Sequence, residues 1–122
     1  MSNILIVDDN LTNRLIIKHI LDDYTEENPR TSFTTYEAKN GLEAVDIFKK
    51  ERIDLVFMDI MMDEMDGIEA TKEIIKINST ANVIGVSAVS DLHQEIIKAG
   101  AKACYKKPVD IHTLRNHLNY LN

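Results

Sequence analysis

The sequence predicts an α/β fold: an open, doubly wound parallel sheet of five βα units with helices on both faces. Two observations predict it. Five short runs rich in β-branched and apolar residues alternate with five segments whose apolar residues recur at helical spacing. Three of the runs are almost continuously apolar, as is typical of strands covered on both sides. At 122 residues the chain has the length of one domain, so we expect a single domain over residues 1–122.

The predicted strands cover residues 3–7, 32–38, 54–58, 82–86 and 103–106. Right-handed crossovers leave few topologies, and we expect the flavodoxin-like strand order 2-1-3-4-5. The polar stretch 24–31, which contains Pro29, is expected to be a loop, and Asp110 is placed to cap the last helix. Apolar stripes define the five helices: Leu15, Ile16, Ile20 and Leu21; Leu42, Val45, Ile47 and Phe48; Ile68, Ala70, Thr71, Ile74 and Ile75; Leu92, Ile96 and Ile97; and Leu114, Leu118 and Leu121.

Composition and charge argue against several classes of function. The net charge of −6 disfavours a nucleic-acid surface, which needs concentrated Lys and Arg. No apolar run is long enough to span a bilayer, and the N-terminus lacks the basic segment of a signal peptide. The single cysteine, Cys104, fits a reducing compartment, and we read it as a small core residue. We therefore expect a cytoplasmic protein that binds neither nucleic acid nor membrane.

Chemically active side chains follow four of the predicted strands. Asp8 and Asp9 come after the first strand, Asp59 after the third, Ser87 after the fourth and Lys107 after the fifth. Ligands of open parallel sheets bind at the carboxyl ends of the strands, so these side chains should meet at one edge. Each residue taken alone has an ordinary explanation as a loop or cap residue. Their combination predicts a site.

Three neighbouring carboxylates repel one another, and without compensation at least one of their pKa values would rise. A hard divalent cation removes that cost, and Mg²⁺ fits best because it takes one or two carboxylates, waters and a phosphate oxygen. Lys107 would add a second positive charge, and Ser87 would donate a hydrogen bond to a phosphoryl oxygen. These are the parts that phosphoryl transfer needs.

The motifs that surround these residues resemble those of the response regulator receiver family over essentially the whole chain. They are ILIVDDN at residues 4–10 followed by Asn13 and Arg14, NGLEA at 40–44, MDIMM at 58–62, MDG at 65–67, Ser87-Ala88, and Lys107-Pro108. The sequences of these motifs are most similar to those of receivers in hybrid histidine kinases and phosphorelays. The resemblance implies a phosphoacceptor that is not itself an enzyme, with a histidine kinase or a histidine phosphotransfer protein as its partner.

The resemblance also implies roles for individual residues. Asp59 would accept the phosphoryl group, and Mg²⁺ would be bound directly by Asp9, Asp59 and the backbone carbonyl of Met61. Asp8 would act mainly through a coordinated water, and Lys107 would pair with the phosphate. In addition, Ser87 would move toward the phosphoryl oxygen, Ala88 would leave room above the site, and the Lys107–Pro108 peptide would be cis.

The chain departs from the family pattern in three places. Asp63 replaces the usual proline, and the segment between the first helix and the second strand is longer than is typical. The aromatic switch position, three residues before Lys107, holds Cys104, with Tyr105 one residue later. Because strand side chains alternate between faces, we expect that Tyr105 cannot simply replace the missing aromatic residue.

Three other functions fit this sequence less well. A flavodoxin-like electron carrier would need a Ser/Thr/Gly-rich loop where this chain has the acidic residues 8–10. An aspartate-nucleophile phosphatase would carry a second acid at Met61. A receiver-like module used mainly for protein binding would not need the complete acidic site. The four histidines lack metal-ligand spacing.

A phosphohistidine donor would have to cover the sheet edge near the first helix. We expect Leu11, Arg14, Pro108 and Val109 to contact it, the alternative being that Leu11 and Val109 pack into their own loops. We expect a monomer or a weak dimer, either a stand-alone regulator or one domain of a longer chain.

Overall fold

Five strands and five helices alternate along the chain, which a computed structural model describes over residues 1–121. The strands are β1 (Ser2–Val7), β2 (Phe33–Ala38), β3 (Leu55–Asp59), β4 (Val83–Ser87) and β5 (Ala103–Lys106). The helices are α1 (Leu11–Glu27), α2 (Gly41–Lys50), α3 (Gly67–Ile77), α4 (His93–Ala99) and α5 (Ile111–Asn119). All neighbouring strands pair in parallel in the order β2-β1-β3-β4-β5, which confirms the predicted fold and topology.

The sheet divides the hydrophobic core into two layers because successive strand residues point to opposite faces. Leu5 and Val7 of β1 pack with α2, α3 and α4 on one face, which we call the α2–α4 face. Ile4 and Ile6 pack with α1 and α5 on the other, the α1–α5 face. Each aliphatic side chain buried completely in these layers contributes about 1.5–3 kcal/mol. Burial on both faces explains why the central strands are almost continuously apolar.

Four of the five helices begin at a side chain that accepts a backbone hydrogen bond. These N-caps are Asn10 for α1, Asn40 for α2, Asp66 for α3 and Asp110 for α5. Each satisfies a backbone N–H that the helix itself leaves without a partner. The prediction for Asp110 is confirmed. Helix α4, the shortest with 7 residues, has no such side-chain cap.

Helix α1 is longer than the sequence suggested, and its buried stripe is different. The helix continues to Glu27, so the prediction of a loop from residue 24 is wrong over its first turn. Its buried residues are Ile17, Ile20, Leu21 and Tyr24, whereas the predicted stripe members Leu15 and Ile16 are 50% and 38% exposed. The buried set follows the i, i+3, i+4, i+7 spacing of one helical face. The polar residues near the end of α1 therefore face solvent on a helix rather than forming a loop.

None of the helices within residues 1–121 combines the length and apolar composition needed to cross a bilayer.

Candidate functional site

The carboxyl ends of β1, β3, β4 and β5 bring the predicted site residues to one edge of the sheet. Asp8 follows β1 directly, and Lys107 follows β5. Asp59 and Ser87 are the last residues of β3 and β4, so each lies within its strand rather than after it. In the sheet ladder Asp59 pairs with Val86, and Ser87 pairs with Lys106. The rigid ladder therefore sets the spacing of these side chains.

Three carboxylates form the centre of the site. Carboxylate oxygens of Asp8, Asp9 and Asp59 lie within 4.8 Å of one another, and among the described residues no other group of His, Cys, Asp and Glu is gathered in this way. Asp8 is 2% exposed and Asp59 5%, whereas Asp9 is open to solvent. Oxygen donors at this spacing, two sequestered and one open to water, fit a hard divalent cation such as Mg²⁺.

The Lys107 side chain joins two of these carboxylates. Its Nζ donates to Asp8 Oδ2 at 2.7 Å and to Asp59 Oδ1 at 3.1 Å, and the side chain is mostly buried. Burial by itself would lower the pKa of Lys107, but the hydrogen bonds and charges of Asp8 and Asp59 outweigh burial and raise it. Lys107 is thus held as a cation in the acidic site.

One ammonium group does not balance the site. Burial, followed by the charge of Asp8, raises the pKa of Asp59 to about 6, while Lys107 opposes this shift and Asp9 adds to it. This raised pKa agrees with the expectation that, without a compensating cation, at least one of three neighbouring carboxylates has its pKa raised. A cation bound here would remove it, so the donor set and its electrostatics both fit Mg²⁺.

Ser87 is completely buried at the end of β4, the strand next to the one that carries Asp59. Its Oγ accepts a hydrogen bond from the Val89 backbone at 3.2 Å, and its carbonyl accepts one from the Lys107 backbone at 2.8 Å. Ala88 is exposed and lines a cavity of about 350 Å³ together with Asp8, Lys107 and Pro108. The Lys107–Pro108 peptide is cis, as the resemblance implied. Met61 lies in the loop after β3 and is exposed.

Cys104 and Tyr105 lie on opposite faces of the sheet, as the alternation of strand side chains predicts. Cys104 is half-buried on the α2–α4 face opposite Gly85, and burial raises the pKa of its thiol to about 11. Tyr105 packs on the α1–α5 face, where its hydroxyl lies 2.6 Å from His117 Nε2. The Tyr105 ring therefore contacts α5 and does not occupy the position of Cys104.

The four residues expected to contact a partner have different surroundings. Leu11 is 57% exposed at the start of α1, and Pro108 lines the cavity beside Asp8. Val109 is only 8% exposed and belongs to the core of the α1–α5 face, so it matches the alternative that it packs into the fold. The Arg14 side chain is hydrogen-bonded to the Asp8 carbonyl and to the Glu37 carboxylate, and little of it is exposed to solvent.

Glu37, near the end of β2, is a site residue that the sequence patterns did not predict. Its carboxylate accepts hydrogen bonds from Arg14 at 2.9 Å and Lys18 at 3.2 Å, and the hydrogen bond from Arg14 is the main cause that lowers the pKa of Glu37. The available signal was its position: Glu37 is the next-to-last residue of β2, the edge strand beside β1, and this position brings its carboxylate close to the basic residues of α1.

The family model "Response regulator receiver domain" matches residues 4–119. The chain belongs to the response regulator receiver family. Two curated relatives are the chemotaxis protein CheY of Thermotoga maritima, 43% identical over 107 residues (86% of this chain, 84% of that protein), and the sporulation initiation phosphotransferase F of Bacillus subtilis, 36% identical over 115 residues (93% and 87%). Both share most of their length with this receiver domain.

Two solved structures are similar to this receiver domain. CheY in the CheX–CheY–BeF3–Mg complex of Borrelia burgdorferi has a TM-score of 0.79 at 31% identity, covering 98% of this chain and 88% of that one. A chain of the co-crystal structure of the Saccharomyces cerevisiae histidine phosphotransfer protein Ypd1 with the receiver domain of the response regulator Ssk1 has a TM-score of 0.79 at 27% identity, covering 97% and 86%. The receiver domain is therefore a module of two-component signalling.

Proposed function

We propose that this receiver domain takes a phosphoryl group from a phosphohistidine donor onto Asp59 in the presence of Mg²⁺, and then changes conformation or passes the phosphoryl group on. One observation carries the proposal: the Lys107 ammonium lies within hydrogen-bonding distance of both Asp8 and Asp59, in a group of three carboxylates. A nucleophile, a fixed cation and a cation-binding acid group are the parts that phosphoryl transfer requires. The domain acts as a phosphoacceptor and not as an enzyme with a released product.

In the proposed reaction a carboxylate oxygen of Asp59 attacks the phosphorus atom and forms an acyl phosphate. The bond from phosphorus to the donor's imidazole nitrogen breaks, and its electron pair stays on that nitrogen. Lys107 is placed to stabilise the negative charge that develops during the transfer, because its ammonium group already contacts Asp59 Oδ1. The Ser87 hydroxyl would turn from the Val89 backbone to donate to a phosphoryl oxygen.

Mg²⁺ would be held by Asp9, Asp59 and the Met61 carbonyl, with Asp8 acting through a water molecule. When bound, the ion supplies positive charge that offsets the carboxylates and the phosphoryl oxygens. Support comes from the fit of the donor set and from the similar CheY, whose complex contains BeF3 and Mg²⁺.

The donor is proposed to be a histidine kinase or a histidine phosphotransfer protein, in keeping with the complex of Ypd1 with a receiver domain. Leu11, Leu15 and Ile16 expose apolar surface along α1, and Pro108 lines the neighbouring cavity together with Ile16. Docking there would exclude water from the transfer. We further propose a cytoplasmic monomer or weak dimer with no nucleic-acid partner, consistent with the net charge of −6.

Incubation with acetyl phosphate and Mg²⁺, followed by intact-mass spectrometry, tests the proposal. We expect wild-type protein to gain the mass of one phosphoryl group and Asp59→Asn to gain none. Asp63→Asn is the matched control, since it makes the same change in an exposed loop residue nearby and should leave labelling intact. Equal labelling of wild type and Asp59→Asn would contradict the assignment.

A further inference from the structure

Arg14 connects helix α1 to strand β2 and to the turn that follows β1, at the acidic edge of the sheet. From α1 it donates through a terminal guanidinium nitrogen to the carbonyl oxygen of Asp8 at 2.8 Å and through Nε to Glu37 Oε1, in β2, at 2.9 Å. Its side chain is only 11% exposed. Because the guanidinium group is planar and its donors diverge at fixed angles, holding both acceptors leaves the side chain little freedom. Arg14 is thus held in one position between these two acceptors and is not a free surface cation.

The carbonyl held by Arg14 belongs to the peptide between Asp8 and Asp9. A peptide unit is planar, so fixing its oxygen orients the Cα atoms on both sides and the side chains they carry. Two further bonds hold the same turn: Asp8 N–H donates to the Ala38 carbonyl at 3.1 Å, and Asp8 Oδ1 accepts from the Asn10 backbone at 2.9 Å. Of the three, the bond from Arg14 is the one that reaches the Asp8–Asp9 peptide itself.

We infer that Arg14 is a positioning residue for the metal site, that it orients the carboxylates of Asp8 and Asp9 toward Mg²⁺, and that Glu37 holds Arg14 in place. The inference rests on the proposed function, because it concerns the metal affinity of the same acidic site. It also gives Arg14 a role other than the docking role expected from the sequence.

Loss of positioning and loss of charge at Arg14 should change the affinity for Mg²⁺ in opposite directions. Removing a positive charge near three carboxylates would, by Coulomb attraction, tighten the binding of a cation. Loss of positioning would weaken it, because the Asp8–Asp9 peptide would lose the partner of its carbonyl. We expect Arg14→Ala to weaken Mg²⁺ binding by about tenfold, the lower end of what partners that orient metal ligands usually contribute.

The double variant Arg14→Ala/Glu37→Gln separates the two effects further. It removes one positive and one negative charge, so a pure charge effect predicts affinity close to that of wild type. Positioning predicts that the double variant is as weak as Arg14→Ala. Lys18→Ala is the matched control, because Lys18 also bonds to Glu37 but not to the Asp8 carbonyl, and its removal should change affinity less than twofold.

The experiment is a titration of metal-free protein with MgCl2 at constant ionic strength, followed by amide chemical shifts in two-dimensional NMR spectra. The spectra also report whether each variant is folded, and Arg14→Lys, which keeps one donor, should give intermediate affinity. Arg14→Ala that binds Mg²⁺ as tightly as wild type, or a double variant that recovers wild-type affinity, would overturn the inference. Failure of wild-type protein to bind Mg²⁺ would contradict the proposed function itself.

Discussion

A Cβ atom on Gly67 would lie 1.9 Å from the carbonyl oxygen of Asp59, so only glycine fits at the start of α3. The Gly67 N–H also donates to the Ile60 carbonyl at 2.9 Å. Helix α3 therefore begins in direct contact with the backbone that carries the proposed phosphoacceptor. This close approach fixes the end of β3 against the loop that follows it.

We expect Gly67→Ala to displace the Asp59 backbone, to lower the free energy of unfolding by about 1–3 kcal/mol, and to slow labelling by acetyl phosphate. Denaturant unfolding and intact-mass kinetics measure the two effects. Lys72→Ala, on the exposed face of the same helix, should change neither. Wild-type stability and labelling in Gly67→Ala would show that the backbone can move aside without cost.

Metal-free protein should become less stable as the pH rises through the titration of Asp59. Burial raises the pKa of this carboxyl from 3.8 to about 6, so between these values the folded state keeps a proton that the unfolded state has lost. The free energy of unfolding then falls from about pH 4 to about pH 6, and the penalty is complete above that range.

Asp59→Asn removes this penalty. In the presence of a chelator we expect it to be more stable than wild type by about 1–2 kcal/mol at pH 7.5 and equal to wild type near pH 4. Thermal or denaturant unfolding at both pH values measures the difference. A variant that is less stable than wild type at pH 7.5 would mean that the bond from Lys107 outweighs burial and repulsion.

Mg²⁺ should stabilise the folded protein by relieving the same repulsion. By mass action we expect a gain of about 1–3 kcal/mol at saturating metal, seen as a rise in melting temperature. Asp9→Ala should abolish the rise, and since Asp9 is exposed, the change should cost the metal-free fold little. Na⁺ at matched ionic strength controls for general screening. No rise in wild-type protein would argue against a magnesium site.

Docking of a phosphotransfer protein can be separated from the chemistry at Asp59. We expect Leu11→Lys to slow transfer from such a donor at least tenfold, or about 1.4 kcal/mol, because a charge would enter the apolar contact beside the site. Labelling by acetyl phosphate should be nearly unchanged. Ile77→Lys is the control, since Ile77 is also exposed but ends α3 at the opposite edge of the sheet. Equal slowing with both donors would indicate damage to the site and not to docking.

Val109 is unsuited to this test although the sequence suggested it. Its side chain is buried in the core of the α1–α5 face, so a lysine there would disturb the fold as well as any docking surface. From the sequence, Val109 and Leu11 are alike: each is an apolar residue close to a chain turn. Only the packing of α5 against the sheet distinguishes them.

The order of the elements, the topology of the sheet and the identities of the acidic residues, Ser87 and Lys107 at its edge are predictable from the sequence. These follow from local patterns, since apolar runs and helical spacing define elements and parallel strands deliver their carboxyl ends to the same side. The cap at Asp110 and the separation of Cys104 from Tyr105 are equally local, because each depends on residues adjacent in the chain.

Tertiary structure decided what depends on residues distant in sequence. The length of α1 follows from the burial of Tyr24, whose hydroxyl reaches Asn119 of α5 at 2.5 Å. The ion pair of Arg14 with Glu37 joins residues in α1 and β2 that are 23 positions apart. The raised pKa of Asp59 arises from burial and from the charge of Asp8, which follows the neighbouring strand β1. Helical spacing and strand alternation carry no information on such pairings, because they arise only when the elements pack together.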